Sequence, residues 1–316
     1  MDFPASRAAA REFVSLAEVG STNDELRDSA VAGNLPDFSV VVTLNQTAGR
    51  GRLDRVWVAP PGQALAVSVL LRPTLPGGGS VAIDRYGWIP LLAGLAMTRA
   101  VQALVHTRSL RDRAEQDATR SLRHRAEQDA TRSLSAALRS AQRVSKGRSR
   151  SDRLEGGPRV SLKWPNDVLI DGRKVSGLLA ELLPDAAGVI VGAGLNLSIP
   201  EAELPVPTAT SLSLNGVAAT EELADQSLAA YLVELRSLWS GFLAAGGDAE
   251  ACGIRSAVSE ACSTLGQPVR VSLPGGTELL GTAVDLDAEG RLRIRSATDA
   301  PLQTVAAGDI THLRYE

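Results

Sequence analysis

SLKWPNDVLIDGRKVSGLL, residues 161–179, contains two short apolar runs separated by Asp171-Gly172. An Asp-Gly pair between such runs is a strong signal for a β-hairpin. Other strand-like runs, rich in β-branched and apolar residues, occur at 39–44, 64–71, 174–183 and 188–197. Short strands joined by tight turns predict an antiparallel or mixed sheet rather than a doubly wound parallel sheet.

Helices and a separate all-β region complete the predicted architecture. The apolar stretch 88–105 is interrupted by polar residues and predicts a core helix rather than a membrane span. Residues 221–245 have the pattern of a long amphipathic helix. Short alternating strands follow from about residue 263. We therefore predict an α+β fold, with a mixed, largely antiparallel sheet flanked by helices at 1–262 and a small β-barrel at 263–316.

Composition limits the classes of function. The chain has 33 basic and 36 acidic residues, so any site for a polyanion must be local. Cys252 and Cys262 have no histidine beside them and are predicted to be reduced, structural thiols. The N-terminus has no apolar segment typical of a secretory signal. These features predict a soluble, cytoplasmic protein.

A tandem repeat interrupts the sheet-forming sequence. Residues 107–118 (TRSLRDRAEQDA) recur almost unchanged at 119–130, and residues 107–155 carry 13 basic and 7 acidic residues. Twelve residues advance a helical face by about 120°, so the leucines of successive repeats would not form one apolar stripe. We predict a flexible, low-complexity insert at 107–157. A nucleic-acid-binding arm is the alternative, although residues 107–155 contain no aromatic residue for base stacking.

Residues 46–57, QTAGRGRLDRVW, combine glycines with three arginines and end on Trp57. One interpretation is a surface turn with Trp57 as the first core residue of a strand. The other is a loop that closes over a ligand, with arginines on phosphate oxygens and Trp57 against an aromatic base. Walker A and Rossmann phosphate motifs are absent from the sequence.

Two further clusters carry polar residues in apolar surroundings. In KWPND and the strand after it, Lys163, Asp167 and Lys174 fit either a hairpin with a solvated face or a phosphoryl site. In the second case the lysines would stabilise developing negative charge and the carboxylate would hold Mg²⁺. The segment STND at 21–24 predicts a helix N-cap at Ser21 or Thr22, which is compatible with ligand binding.

Together, ST-N (21–23), QTAGRGR (46–52), KWPND (163–167), RKVSGLL-E (173–181) and GAGLN (192–196) resemble, in this order, the biotin protein ligases. The resemblance covers the chain from about residue 16 onward, apart from the insert. It implies a class II synthetase-like ligase domain with a C-terminal SH3-like barrel. It also implies ATP-dependent formation of biotinyl-5′-AMP, with Mg²⁺, and transfer of biotin to a lysine of a biotin carboxyl carrier protein.

The resemblance also implies roles for individual residues. Those expected to bind biotin are Ser21, Thr22, Asn23, Gln46, Gly49, Arg50, Gly51, Arg52, Lys174 and Gly177. Those expected to bind ATP are Arg50, Arg52, Arg55, Trp57, Lys163 and Asn196. The reacting centre is expected to contain Lys174, Arg52, Lys163 and Asp167, with Asp167 as the Mg²⁺ ligand.

Some features depart from the family pattern or leave alternatives open. Asp54 occupies a loop position that is often glycine in the family, and about twenty residues before STND are too few for a helix-turn-helix. We therefore expect a ligase without a repressor role or DNA-binding domain. The alternatives are a lipoate or other acyl-protein ligase on the same fold, and a non-catalytic biotin sensor.

Overall fold

The apolar runs that the sequence predicts as strands pair into one seven-stranded sheet. The computed structural model describes residues 2–33, 35–52, 55–57, 59–106, 157–184, 186–272, 278–296, 301–306 and 309–312. The predicted insert, apart from Gly157, and Asp54 lie outside these residues. The strands of this sheet are β1 (Glu12–Leu16), β2 (Ser39–Thr43), β5 (Ala64–Leu71), β6 (Val160–Lys163), β7 (Asp167–Ile170), β8 (Arg173–Leu182) and β9 (Val189–Asn196). Two short strands, β3 (Gly49–Arg50) and β4 (Val56–Trp57), form a separate hairpin.

The main sheet is mixed and largely antiparallel, as predicted. Its order is β1-β2-β5-β9-β8-β7-β6, and within the described residues only the β1–β2 pair is parallel. The hairpin between β7 and β8 turns at Asp171 and Gly172, whose φ angles of 47° and 79° are those of a type I′ turn. The Asp-Gly signal therefore identified this turn correctly.

Helices cover both faces of the sheet because successive strand residues point to opposite sides. They are α1 (Pro4–Ala9), α2 (Thr22–Ala32), α3 (88–106), α4 (Leu223–Ala244) and α5 (Ile254–Ala261). Leu26 and Ala30 of α2 pack with Val41, Leu70 and Ile190 on one face. The alternate residues of the same strands join a larger cluster with α3 and α4 on the other face.

The predicted core helix at 88–105 is confirmed. The segment Ile83–His106 is long and apolar enough to cross a bilayer, but 72% of its most apolar window is buried inside the protein. Cys252 and Cys262 are both free, as expected. Burial is the main cause that raises the pKa of the Cys262 thiol above its ordinary value.

The C-terminal strands form a second, antiparallel sheet. Its order is β13-β12-β11-β10-β14, with β10 (Pro268–Ser272), β11 (Glu278–Leu286), β12 (Leu292–Ser296), β13 (Gln303–Val305) and β14 (Asp309–His312). The turn between β11 and β12 accepts two indole hydrogen bonds from the larger unit: Trp88 Nε1 donates to Ala288 O at 2.8 Å, and Trp164 Nε1 donates to Gly290 O at 3.3 Å. The inner residues of this sheet belong to the same apolar cluster as α3 and α4.

Candidate functional site

The face of the main sheet that contacts α2 continues into a floor of very small residues. Gly177 pairs with Gly194 across β8 and β9, and Ser68 on β5 pairs with Gly192. Side chains lie directly against this floor, because a Cβ atom on Gly192 would collide with the Asn23 amide and one on Gly194 would lie 2.6 Å from the Trp57 ring. The glycines of GAGLN therefore create room above the sheet.

The N-terminus of α2 forms one end of the cleft above the floor. Ser21 caps the helix, and its Oγ accepts from Asp24 N at 3.4 Å. Thr22 is the first helical residue, and its N–H donates to Gln46 Oε1 at 2.9 Å. The cap predicted from STND is thus confirmed at Ser21, and the STND and QTAGRGR segments meet here.

A buried hydrogen-bond chain runs behind this end. Ser68 Oγ lies 2.8 Å from Thr22 Oγ1 and 2.6 Å from Asn23 Oδ1. The Asn23 amide nitrogen donates to a Glu181 carboxylate oxygen at 2.5 Å. Thr22, Asn23 and Ser68 are all buried, so these bonds strongly restrict the side-chain positions.

The stretch QTAGRGRLDRVW forms a hairpin over the floor. Gly49 and Arg50 in β3 pair with Trp57 and Val56 in β4, and Gly51 N donates to Arg55 O at 2.6 Å. Trp57 is only half-buried and faces the cleft beside Gly194. The interpretation of this stretch as a surface turn with Trp57 in the core is therefore wrong.

The two arginines of GRGR face different ends of the cleft. Arg50 Nη2 lies 2.6 Å from Asp24 Oδ1 and 3.2 Å from Glu181 Oε1, beside α2. Arg52 Nη1 donates to Asn166 Oδ1 at 3.4 Å, beside KWPND. Arg50 therefore contacts the α2 end of the cleft, where two carboxylates offset its charge.

Lys174 and Asp167 form an ion pair of 2.6 Å at the other end of the cleft. Lys174 and Gly177 are three residues apart, so in a regular strand they would face opposite sides. Pairing with β7 skips Val175, and this β-bulge turns Lys174 to the side of Gly177, where a Cβ atom would lie 2.8 Å from Lys174 Nζ. The backbone of Lys174 also bonds to Thr208 O and Thr210 N at 2.7 and 2.8 Å.

One cleft of about 1760 Å³ contains almost every residue predicted for the site. Its volume exceeds that of ordinary single-ligand pockets, so it has room for two small molecules. The predicted residues that line it are Ser21, Thr22, Asn23, Gln46, Arg50, Gly51, Arg52, Arg55, Trp57, Lys163, Asp167, Lys174, Gly177 and Asn196. Gly49 does not line the cleft and packs between Gln46 and Trp57.

The predicted Mg²⁺ ligand has a different partner in this structure. The carboxylate of Asp167 is ion-paired with Lys174, and the described residues contain no group of three metal-ligating side chains. Mg²⁺ is usually held by one or two carboxylates together with water and substrate phosphate oxygens. Asp167 could therefore supply a carboxylate to Mg²⁺ only together with water and substrate phosphates, and its role as a magnesium ligand stays a prediction.

Glu181, Ser68 and Asn166 are site residues that the sequence analysis did not assign. Glu181 could have been found by strand alternation, because residues 177, 179 and 181 of one strand share a face. Asn166 lies within the motif KWPND, but its contacts depend on turn geometry, and Ser68 gives no comparable signal because its role depends on strand pairing. Gln267 and Arg270 of the C-terminal sheet also line the cleft.

Comparisons with known proteins agree with this geometry. Residues 17–196 match the Biotin/lipoate A/B protein ligase family, and residues 264–313 match the Biotin protein ligase C terminal domain. The Mycobacterium tuberculosis biotin–[acetyl-CoA-carboxylase] ligase is 32% identical over 308 residues, 96% of this chain and 90% of that protein. The Escherichia coli bifunctional ligase/repressor BirA is 25% identical, over 93% of this chain and 71% of that protein. The solved biotin protein ligase from Aquifex aeolicus is 21% identical, with a TM-score of 0.62 over 96% of this chain and 99% of that chain, and shares its fold.

Proposed function

The chain belongs to the biotin/lipoate A/B protein ligase family, and from this premise we propose how its cleft activates biotin and transfers it to a carrier protein. The enzyme is a biotin ligase, since its 32% identical relative of nearly the same length is a biotin–[acetyl-CoA-carboxylase] ligase. This activity is preferred over a lipoate ligase or a non-catalytic sensor. The observation that carries the mechanism is one large cleft with a polar pocket at α2 and a lysine–carboxylate pair at its other end.

The reaction takes two steps, and both need positioning rather than a protein nucleophile. In the first, a carboxylate oxygen of biotin attacks the α-phosphorus of ATP, the bond to pyrophosphate breaks, and biotinyl-5′-AMP forms. In the second, a neutral lysine amine of the carrier attacks the acyl carbon, AMP leaves, and the amine loses a proton. Holding two anions together and neutralising their repulsion accounts for the rate gain.

The polar end of the cleft suits the ureido ring of biotin. We assign this ring to Ser21, Thr22, Asn23 and Gln46, because Ser21 caps α2 at this end and the hydrogen-bond chain through the other three offers matched donors and acceptors. The β3–β4 hairpin, with Gly49, Arg50, Gly51 and Arg52, would cover the bound vitamin, and Gly177 would allow its close approach. Arg50 contacts carboxylates at this end, so its further assignment to ATP stays a prediction.

ATP suits the part of the cleft between the hairpin and KWPND. Trp57 has a face turned to the cleft for stacking on adenine, and Asn196 lies beside it along β9. Arg52, Arg55 and Lys163 would contact the phosphates, and Lys174 would bridge the biotin carboxylate and the α-phosphate. Asp167 keeps Lys174 over the floor until the anions arrive.

Several broader features belong to this proposal. Mg²⁺ would enter bound to the triphosphate of ATP, and Asp167 would supply a protein carboxylate to it. The acceptor would be a carrier domain of a biotin-dependent carboxylase, and the enzyme would act in the cytoplasm. We propose 1–262 as the catalytic domain, including the insert at 107–157, and 263–316 as the C-terminal barrel.

A direct assay tests this function. The full chain is mixed with ATP, Mg²⁺, biotin and an apo carrier domain, and the carrier is analysed by mass spectrometry. A mass gain of one biotinyl group on one lysine is expected, with none when lipoate replaces biotin. Transfer of lipoate in preference to biotin, or no mass gain with an active carrier, would contradict the proposal.

A further inference from the structure

Glu181, at the α2 end of the cleft, is held by two residues assigned to biotin binding. Its carboxylate accepts a hydrogen bond from Asn23 Nδ2. The two carboxylate oxygens also accept from Arg50 Nη2, at 3.2 and 3.3 Å. We propose that Glu181 is a positioning residue that sets the direction of the hydrogen-bond chain Asn23–Ser68–Thr22 and thereby the affinity for biotin. This inference rests on the proposed function, because it concerns the same pocket.

The direction of this hydrogen-bond chain follows from counting the protons that each group can donate. The oxygen and nitrogen ends of the Asn23 amide have similar shapes, so packing alone does not decide which end faces which neighbour. A carboxylate has only acceptor atoms, so the amide nitrogen must face Glu181 and Asn23 Oδ1 must face Ser68. Since Oδ1 is also only an acceptor, Ser68 donates its one proton to it.

The same proton count applies to the contact between Ser68 and Thr22. The Thr22 hydroxyl has two acceptors within reach, Ser68 Oγ at 2.8 Å and Gln46 Oε1 at 3.1 Å. Ser68 has donated its one proton to Asn23, so the shorter of these contacts needs the Thr22 proton. Gln46 Oε1 keeps a donor in either case, because it also accepts from the Thr22 N–H at 2.9 Å. Biotin would therefore meet Thr22 Oγ1 as an acceptor and the Gln46 amide nitrogen as a donor.

Binding of a ureido ring depends on the direction of this hydrogen-bond chain. It carries two N–H donors and one carbonyl acceptor, so a reversed chain would oppose donor to donor at part of the ring. Asn23, Ser68 and Thr22 are 5%, 0% and 3% exposed, so water cannot easily satisfy a mismatched group. Glutamine at position 181 has both a donor and an acceptor end, so it would permit the reversed arrangement.

The test compares Glu181→Gln with Glu181→Asp and with Glu234→Gln as a matched control. Glu234 is also paired with an arginine, Arg99, at 3.4 Å, and neither residue lines the cleft. Biotin-dependent exchange of pyrophosphate into ATP is measured over a range of biotin and ATP concentrations. We expect Glu181→Gln to raise the KM for biotin about tenfold, with kcat and the KM for ATP unchanged. Glu181→Asp should recover part of the affinity, since it keeps an acceptor-only group, and the control should match the wild type.

A double-mutant cycle separates the route through Asn23 from the contact with Arg50. Calorimetric titration with biotin alone is applied to Asn23→Ala, Arg50→Ala and each combined with Glu181→Gln. The proposal predicts that Glu181→Gln has no further effect on biotin affinity once Asn23 is alanine, but keeps its effect when Arg50 is alanine. The opposite pattern, or a biotin KM unchanged by Glu181→Gln, would overturn it. Absence of biotin-dependent exchange in the wild type would instead overturn the proposed function.

Discussion

Lys174 Nζ lies 2.6 Å from Asp167 Oδ1, and Gly177 lies directly beneath both groups. The β-bulge at Val175 brings Lys174 to this side of the strand, and the bonds to Thr208 and Thr210 fix its backbone. The lysine is thus held over the floor of the cleft before any substrate binds. When substrates bind, their carboxylate and phosphate groups would take the place of the Asp167 carboxylate beside Lys174, so the lysine would need little rearrangement.

Replacement of Lys174 by alanine should reduce adenylate formation strongly and leave the fold intact. Removing this charge leaves the approach of the two anions uncompensated, which corresponds to a loss of about 10²-fold to 10³-fold in kcat. The pair is partly exposed, so its removal should change the free energy of unfolding by less than about 1 kcal/mol. Pyrophosphate exchange measures the first effect and urea denaturation the second. A normal exchange rate would refute the assignment of Lys174.

Replacement of Gly177 by alanine should displace Lys174 without unfolding the protein. The added Cβ would lie 2.8 Å from Lys174 Nζ, and the flexible end of the lysine can move away. Adenylate formation should fall roughly 10-fold to 100-fold because the charge is misplaced. Gly241→Ala is the matched control, since no atom lies within 4 Å of its new Cβ in α4. This control should stabilise the helix by about 0.5–1 kcal/mol with unchanged activity; equal activity of the two variants would contradict the argument.

Replacement of Arg52 by glycine should weaken retention of biotinyl-5′-AMP. Arg52 bridges from the β3–β4 hairpin to Asn166, and its loss would release the hairpin from KWPND. Escaped adenylate reacts with exposed lysines of any protein, so biotinylation of an added bystander such as serum albumin should rise. Arg99→Gly, at an exposed ion pair that does not line the cleft, is the control. Bystander labelling equal to that of the wild type would count against Arg52 as a retaining residue.

The stability of the C-terminal sheet should depend on pH below about 4. A hydrogen bond from Arg293 holds the pKa of Asp285 below its ordinary value of 3.8. A carboxyl group with a lowered pKa in the folded state contributes stability above the unfolded pKa, and this contribution is lost as the pH falls through the folded value. The pair is about one-third exposed, so the effect should be on the order of 0.5 kcal/mol after solvent screening. Denaturation at pH 5 and pH 3 should show a smaller decrease for Asp285→Asn than for the wild type, and equal decreases would contradict this assignment.

The sequence predicted the parts of the fold that depend on local pattern. The Asp171-Gly172 turn, the core helix predicted at 88–105 and the strands of the main sheet other than β1 follow from apolar patterning and turn chemistry. Short elements such as α1, β1 and β14 were missed because they contain too few residues for a clear period. The side of the strand that Lys174 faces could not be predicted either, because the bulge at Val175 depends on pairing with β7.

The sequence predicted which residues form the site better than it predicted how those residues are arranged. Fourteen of the predicted residues line one cleft because their motifs carry the chemistry itself. The separation of Arg50 and Arg52 toward opposite ends depends on the β3–β4 hairpin and on acids distant in sequence, so the motif GRGR gave no indication of it. Glu181 lay within a quoted motif, but its role required knowing which strand residues lie beside Asn23.

The indole hydrogen bonds of Trp88 and Trp164 have a consequence for any shortened form of this enzyme. A chain cut after Cys262 would retain all fifteen residues predicted for the site, yet both tryptophans would lose their carbonyl acceptors on the β11–β12 turn. Trp164 directly follows Lys163, so its exposure would disturb the backbone that carries the lysine proposed to bind phosphate. We therefore expect catalysis to depend on a segment that supplies none of the assigned reactive groups.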